Sequence, residues 1–242
     1  AYGQQQNDSI SSDRPGIADG SEVMDAGRVQ LETGIQRDIY RAGDHPERKT
    51  FLPTLLRVGM APKWEARFES DLNAWMRQPD PDGAARMQAY APFSLGLKHR
   101  LLGDAGPAQP SVGAILRISP ASGSDRLRTR RTTGDFRIAA DWELRPRWWL
   151  NPNFGWAIDE DGEGRRFGAA LGAMTLSYKP AAPVEFFIDT GIQRPETKGG
   201  GSAAIYDAGF TTLISRDLQI DVSVGRRGTG STPPRSFTAA GA

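Results

Sequence analysis

Apolar and polar residues alternate along most of this chain with a period of two, most clearly between Phe136 and Trp156. Phe136, Ile138, Ala140, Trp142 and Leu144 alternate with Arg137, Ala139, Asp141 and Glu143. After Arg145-Pro146-Arg147, Trp148, Leu150, Phe154 and Trp156 alternate with Asn151, Asn153 and Gly155. Successive side chains of a strand point to opposite faces, so this pattern on both sides of a tight connection predicts an antiparallel hairpin. One face is apolar and carries Trp at its ends; the other is polar, and ionic on its first strand. In a soluble sandwich these faces meet a core and water. In a membrane barrel they meet lipid and lumen.

The same pattern repeats along the chain. Residues Ala1 to Asp25 are polar and show no alternation, which predicts an extended N-terminal segment, either a free tail or one folded into a barrel mouth. From Ala26 the alternation begins, with Val29, Leu31, Thr33 and Ile35 opposite Arg28, Gln30 and Glu32. Further strands are expected over about 50–60, from Trp64, up to Leu102, and over 111–119. Beyond the hairpin others follow over about 166–178, from Val184, on both sides of Ser215-Arg216-Asp217, and from Arg235. Arg41 to Lys49 and Gln78 to Gly83 read as polar loops. The total is about twelve strands of roughly 9–13 residues, close to the length that crosses a bilayer when tilted. Tight connections follow the second, sixth, eighth and tenth strands, and the longer polar ones fall mainly at the other end.

That asymmetry predicts an all-β fold: a transmembrane antiparallel β-barrel with short periplasmic turns and long external loops. Residues 26–242 would form the barrel, with the last strand incomplete and both termini periplasmic. Trp64, Trp148 and Tyr178 sit beside short turns, whereas Trp75, Tyr40, Trp156 and Tyr206 sit near long loops. Two belts of Trp and Tyr mark the two interfaces of a bilayer.

Composition agrees where it bears on the question. Mean hydropathy is −0.49 and no apolar run approaches the roughly 18 residues of a transmembrane helix. Half-apolar spanning strands produce just such a value. Thirty basic against 29 acidic residues argue against a nucleic-acid partner, which needs a basic excess. The absence of cysteine excludes a catalytic thiol and a zinc–thiolate site.

Several segments resemble a known family. Ser12-Asp13-Arg14-Pro15-Gly16 followed by Ala26-Gly27-Arg28-Val29-Gln30-Leu31-Glu32 is similar to its opening. Leu52 to Met60 resembles its second strand, Ser94 to Leu101 its fourth, and Leu218 to Gly225 its penultimate strand; Ser124-Asp125 is similar to one of its loops. The family is that of the outer-membrane barrels named for the phenol-degradation meta-pathway. The resemblance implies a bacterial outer-membrane transporter that passes small, often aromatic, compounds. A departure is the end of the chain, where only Phe237 supplies the terminal aromatic that such barrels carry.

Candidate chemistry points to passage rather than catalysis, and to no cofactor. A barrel lipase would need a Ser–His pair, but His45 lies in a long loop and His99 near the short-turn end. Two distant histidines make no metal cluster. Asp159-Glu160-Asp161 and Asp80 with Asp82 read as solvated loop acids. The inward list carries the expectation: Arg28, Glu32, Arg57, Glu65, Arg67, Glu69, Asp71, Lys98, Arg100, Arg117, Arg137, Asp141, Glu143, Glu185, Asp189 and Asp221. Charges away from bulk water must pair or stay wet. A basic wall of Arg57, Arg100, Arg117 and Arg137 would face acids of the third, ninth and eleventh strands. The lumen would then conduct small polar or zwitterionic solutes, or be plugged by its own ion pairs. Asp13, Arg14 and Asp19 could pair with wall charges. The expected partners are the bilayer and a small solute. The barrel would be a monomer that admits small molecules by passive diffusion. The alternative is a non-conducting barrel that serves as a structural or docking subunit of a larger envelope assembly, with external loops such as Arg126 to Thr133 as its contact surface. A soluble lipid-binding barrel is the third option.

Overall fold

The computed structural model describes residues 10–41, 46–80, 83–103, 105–125, 127–228 and 235–242, without the side chains of 78–84 and 193. Fifteen strand segments make one antiparallel sheet. They are β1 (Val29–Tyr40), β2 (Glu47–Phe51), β3 (Thr54–Ala61), β4 (Trp64–Ser70), β5 (Asn73–Asp80), β6 (Gly83–Tyr90) and β7 (Phe93–Leu102). Then come β8 (Ser111–Ser119), β9 (Thr133–Arg145), β10 (Trp148–Glu160), β11 (Arg166–Ala181), β12 (Val184–Gln193), β13 (Ala203–Ser215), β14 (Leu218–Arg227) and β15 (Arg235–Gly241). The last strand pairs back onto the first, from Gly34 opposite Gly241 to Tyr40 opposite Arg235, and this closes the sheet.

Three of the walls are broken strands. β2 and β3 part at Leu52-Pro53, β4 and β5 at Asp71-Leu72, and β6 and β7 at Ala91-Pro92. Proline offers no ladder N–H, and Leu72 takes φ 47°, so each chain bends there. Counting each broken pair as one strand makes a closed twelve-stranded barrel. Beyond the breaks β2, β5 and β6 pair side by side as a flap at the long-loop end. Its residues Glu47 to Lys49, Gln78 to Asp80 and Gly83 are strand where loops were expected over Arg41 to Lys49 and Gln78 to Gly83. Their residues lack clean alternation, but neighbouring edges satisfy their backbone groups, from Arg48 opposite Arg77 to Phe51 opposite Ala74.

The interior is inverted relative to a soluble protein. Arg57, Lys98, Glu32, Glu65 and Asp38 are among the largest fully buried side chains. Outside, Phe154 is 67% exposed, Trp156 57% and Ile188 58%. Large apolar side chains stay exposed in this way when hydrocarbon is their solvent.

At the tight-turn end Trp64 stacks on His99 with ring centroids 4.1 Å apart, and Trp148 lies 4.8 Å from Tyr178. Trp75, Trp156 and Tyr206 are exposed toward the other end. Tyr40 departs from the expected outer belt. In β1 the odd positions Val29, Leu31 and Ile35 face out, so Tyr40 faces in. Its hydroxyl donates to Asp38 at 3.4 Å, and the Arg235 guanidinium lies 5.4 Å above its ring.

Candidate functional site

Residues Ile10 to Asp25 form a loop inside the barrel. It starts at the tight-turn end, where the Ile10 amide donates to the Arg216 carbonyl at 2.9 Å. Ser12 Oγ and the amides of Asp13 and Arg14 donate to Glu32 Oε2 at 2.8, 3.0 and 3.0 Å. After a cis Arg14-Pro15 bond, the Ile17 amide donates to Asp189 Oδ2 at 2.9 Å. The chain then crosses the lumen. The Asp19 amide donates to Asn153 Oδ1, and its carbonyl accepts from Asn151 and Asn153. The Ser21 amide and hydroxyl both donate to Asp141 Oδ2 at 2.6 Å, and the Met24 amide donates to Glu65 at 2.9 Å. Gly27 rejoins the wall through the Gly59 carbonyl at 2.8 Å.

No sheet ladder serves this segment, so wall carboxylates and carboxamides accept its amide hydrogens. That accounts for a polar sequence without periodicity: its partners are the inward faces of β1, β4, β9, β10 and β12. Gly113 lets it approach closely, since a Cβ there would meet the Ser21 carbonyl oxygen at 2.7 Å.

The plug's charges are arranged by direction. Asp13 lies against Arg67, against Lys98 at 3.1 Å and against Arg57 at 3.9 Å. Asp19 meets Arg117 and Arg137 at 2.6 Å each and Arg67 at 3.1 Å. Arg14 reaches the opposite wall and pairs with Asp221 at 3.3 Å. The plug is thus a dipole whose acids face the basic wall and whose one arginine faces an acidic one.

Wall pairs complete the network. Arg57 bonds Glu65 at 2.9 Å and Glu32 at 3.1 Å, and Glu69 bridges Arg67 and Arg117 at 3.0 and 2.8 Å. Asp135 bridges Arg117 and Arg137 at 3.3 and 3.0 Å. Burial of such ions is tolerable only because each finds opposite charge and hydrogen bonds.

Of the residues singled out by sequence, Glu32, Arg57, Glu65, Arg67, Glu69, Lys98, Arg117 and Arg137 meet in this one cluster. Asp141, Asp189 and Asp221 hold the plug from around it. The acids of β4 are not across from the arginines, as expected, but interleaved with them on neighbouring strands; those across the lumen belong to β12 and β14. Arg100 and Glu143 are half-buried. Glu185 pairs outside the network with Lys179 at 3.1 Å, and Asp71 lies at the bend between β4 and β5. Arg28 lies at the tight-turn rim, exposed, 3.4 Å from Asp217, because it precedes the first paired residue of β1. Asp38, Asp135, Asn151 and Asn153 were missed as site residues, although counting parity along their strands places all four inward.

Above the plug a vestibule of about 430 Å³ opens toward the long-loop end. Arg14 lies at its plug side, and Glu69, Asp71, Asp159 and Arg194 line its walls. A second cleft, of about 210 Å³, lies between Pro15–Ile17 and the walls β1 and β13 to β15. Two acids of the 159–161 run are engaged by arginines: Asp159 with Arg194 and Asp161 with Arg165, both at 2.8 Å. His45, Asp82 and Arg126 lie outside the described residues, as does the side chain of Asp80.

Asp161 organises the β10–β11 connection. Its carboxylate accepts from the amides of Glu163 at 3.1 Å, Arg165 at 2.9 Å and Lys198 at 3.2 Å. Desolvation lifts its pKa, but hydrogen bonds from the Arg165 amide and side chain and from the Lys198 amide outweigh it, holding it at about 2. A depressed carboxylate stabilises above its unfolded value and loses that contribution as pH falls through the folded one. The loop will therefore hold at pH 4 and loosen toward pH 2, read by the amide NMR shifts of Glu163, Arg165 and Lys198. Asp161→Asn, which lacks the titrating group, will show no such step.

The model of the family described as "Putative MetA-pathway of phenol degradation" matches residues 12–241. The chain belongs to that family. None of the curated proteins compared by sequence matches it. Among solved structures it is similar to an outer membrane channel from Pseudomonas putida, at TM-score 0.67 and 14% identity over 94% of this chain and 98% of that one. It is also similar to the NanC porin (TM-score 0.54, 11% identity, 86% and 97% covered). A mutant of TodX, a monoaromatic hydrocarbon channel, gives 0.51 at 10% identity, covering 93% and 91%. At such identities the shared property is the fold, that of an outer-membrane β-barrel. With its apolar exterior, this fold places the family member in a bacterial outer membrane.

Proposed function

We propose that this barrel is a narrow channel for passive passage of small solutes across the outer membrane, with residues 10–25 as its gate. The observation that carries the reading is the vestibule of about 430 Å³ ending on a plug held by ion pairs and hydrogen bonds. Water can replace such contacts one at a time, whereas a hydrophobic plug would leave apolar surface wet. The inward charges from Glu32 to Asp221 would line the path, and their mixed signs favour small polar or zwitterionic solutes. The family's association with phenol degradation and the likeness to an aromatic-hydrocarbon channel support aromatic ones among them. The rows of Trp and Tyr would mark the two bilayer interfaces.

In planar bilayers the native protein will give small, resolvable current steps, enlarged in an Arg57→Ala, Arg117→Ala double variant. Silence from both would overturn the channel. A second reading is favoured by the same network, since a lumen crossed by ion pairs to both walls is also a sealed one. The barrel would then dock an envelope protein through its external loops, and shortening the 127–133 loop would abolish pull-down of that partner.

A further inference from the structure

We propose that the outer face of the flap binds a phosphorylated lipid of the outer leaflet, its headgroup phosphates held by Arg48, Arg77 and Arg86. The inference rests on the place of the barrel in the outer membrane and not on whether it conducts.

The register sets the three arginines in one row. Arg48 pairs opposite Arg77 across β2 and β5, and Arg77 pairs opposite Arg86 across β5 and β6. Residues directly opposite one another on neighbouring strands share a face of the sheet. Here that face is the outer one. The alternate positions Phe51, Ala74 and Ala89 are 6%, 0% and 3% exposed and fill the inner side. On the outer side Trp75 stands one row below Arg77, and Tyr90 two rows below Arg86; both rings are exposed. Arg37 adds another exposed cation, opposite Thr50 in the row of Trp75.

Three like charges in direct register repel one another. Inside the barrel this chain answers its arginines with carboxylates, as Arg57 with Glu32 and Glu65. On the flap it does not. Among the described residues no carboxylate forms an ion pair with Arg48, Arg77 or Arg86. On the neighbouring strand β1 the residue opposite Arg48 is Ile39. The anion that relieves the row therefore comes from outside the chain.

Position selects that anion. The long-loop end of such a barrel is the external one. Exposed Trp and Tyr mark the bilayer interface, and the arginine row lies one row, about 7 Å, beyond Trp75. That is the height of lipid headgroups, where phosphate is the prevailing anion. Arg takes phosphate through two parallel hydrogen bonds. Neighbouring strands lie about 4.8 Å apart, so the row spans about 10 Å, room for two phosphates of one headgroup. The acyl chains then run down past Trp75 along the apolar wall, a contact that a free phosphate ion lacks.

Two lipids that differ by one phosphate test this, diphosphoryl and monophosphoryl lipid A. Native mass spectrometry of the full protein, released from detergent micelles, will show the diphosphoryl form retained at least about tenfold more tightly. The triple variant Arg48→Gln, Arg77→Gln, Arg86→Gln will lose that preference. The double variant Arg128→Gln, Arg131→Gln removes charge at the same end but off the row, and will keep it. Millimolar inorganic phosphate will not displace the lipid. The comparison on native protein needs no variant to fold. Equal retention of the two lipids, or a preference that survives in the triple variant or is lost in the double one, would overturn the inference. Displacement by inorganic phosphate would make a free ion the occupant and overturn the lipid.

Discussion

Removal of residues 10–25 will raise single-channel conductance at least about fivefold and shift the lumen toward anion selectivity. The segment carries one arginine against four acids, Asp13, Asp19, Glu22 and Asp25, so its loss makes the lumen more positive by three charges. The change is concentrated on one wall. Arg57, Arg67, Lys98, Arg117 and Arg137 all lose a plug carboxylate within 4 Å. They keep Glu32, Glu65, Glu69 and Asp135, which leaves a basic surface with open water beside it. A field of that sign raises the local concentration of anions. The measurement is current amplitude and reversal potential in a salt gradient. If the shortened chain does not assemble, the Asp13→Asn, Asp19→Asn double variant keeps the segment and loosens its grip on the same wall, with an intermediate effect. Unchanged conductance in both would show that the plug does not limit the path.

The second large effect is expected at Arg67. Its guanidinium meets Asp13, Asp19, Glu65 and Glu69, the last three at 3.1, 3.2 and 3.0 Å, and it is almost fully buried. Arg67→Met keeps the volume and deletes the charge, leaving four carboxylates facing one another. Breaking a buried ionic pair from one side costs about 3–5 kcal/mol. A large fall in the urea midpoint, followed by tryptophan fluorescence, is the expected result. Arg67→Lys will recover only part of it, because an ammonium cannot present the planar fork of donors that reaches several carboxylates at once. Adding Asp13→Asn and Asp19→Asn to Arg67→Met will restore stability beyond the sum of the single effects, since partners in one network do not act additively. A midpoint indifferent to Arg67→Met would mean that the network is hydrated enough to rearrange at no cost.

Much of the wall was legible from the chain. Alternation around Trp142 to Trp156 separates a lipid face from a lumenal one without any tertiary information, because strand geometry enforces a period of two. The unequal connections orient the barrel by the same logic. Tyr40 was misplaced by height alone, although parity from Val29 turns it inward. Arg28 was misplaced by parity alone, because parity has meaning only once a residue is paired. The flap escaped detection for another reason. Val, Ile and Thr do not mark β5 or β6, and their strand form depends on neighbours that the sequence does not name.

The plug marks the limit of such reading. Asp13, Arg14 and Asp19 suggested charge partners, but nothing local says that Asp13 meets Arg57, Arg67 and Lys98 while Arg14 crosses to Asp221. By itself the sequence determined which side of most regular strands is greasy and which is charged, the Ala- and Gly-rich β11 excepted, and hence that the charged sides line a barrel. Only the tertiary structure decided that the N-terminal segment fills the lumen and which carboxylate answers which arginine. The physical reason is one of range. Side-chain alternation is a property of neighbouring residues on one chain, whereas ion pairing inside a closed barrel joins residues as far apart as Arg14 and Asp221, whose distance is set only when the last strand pairs with the first.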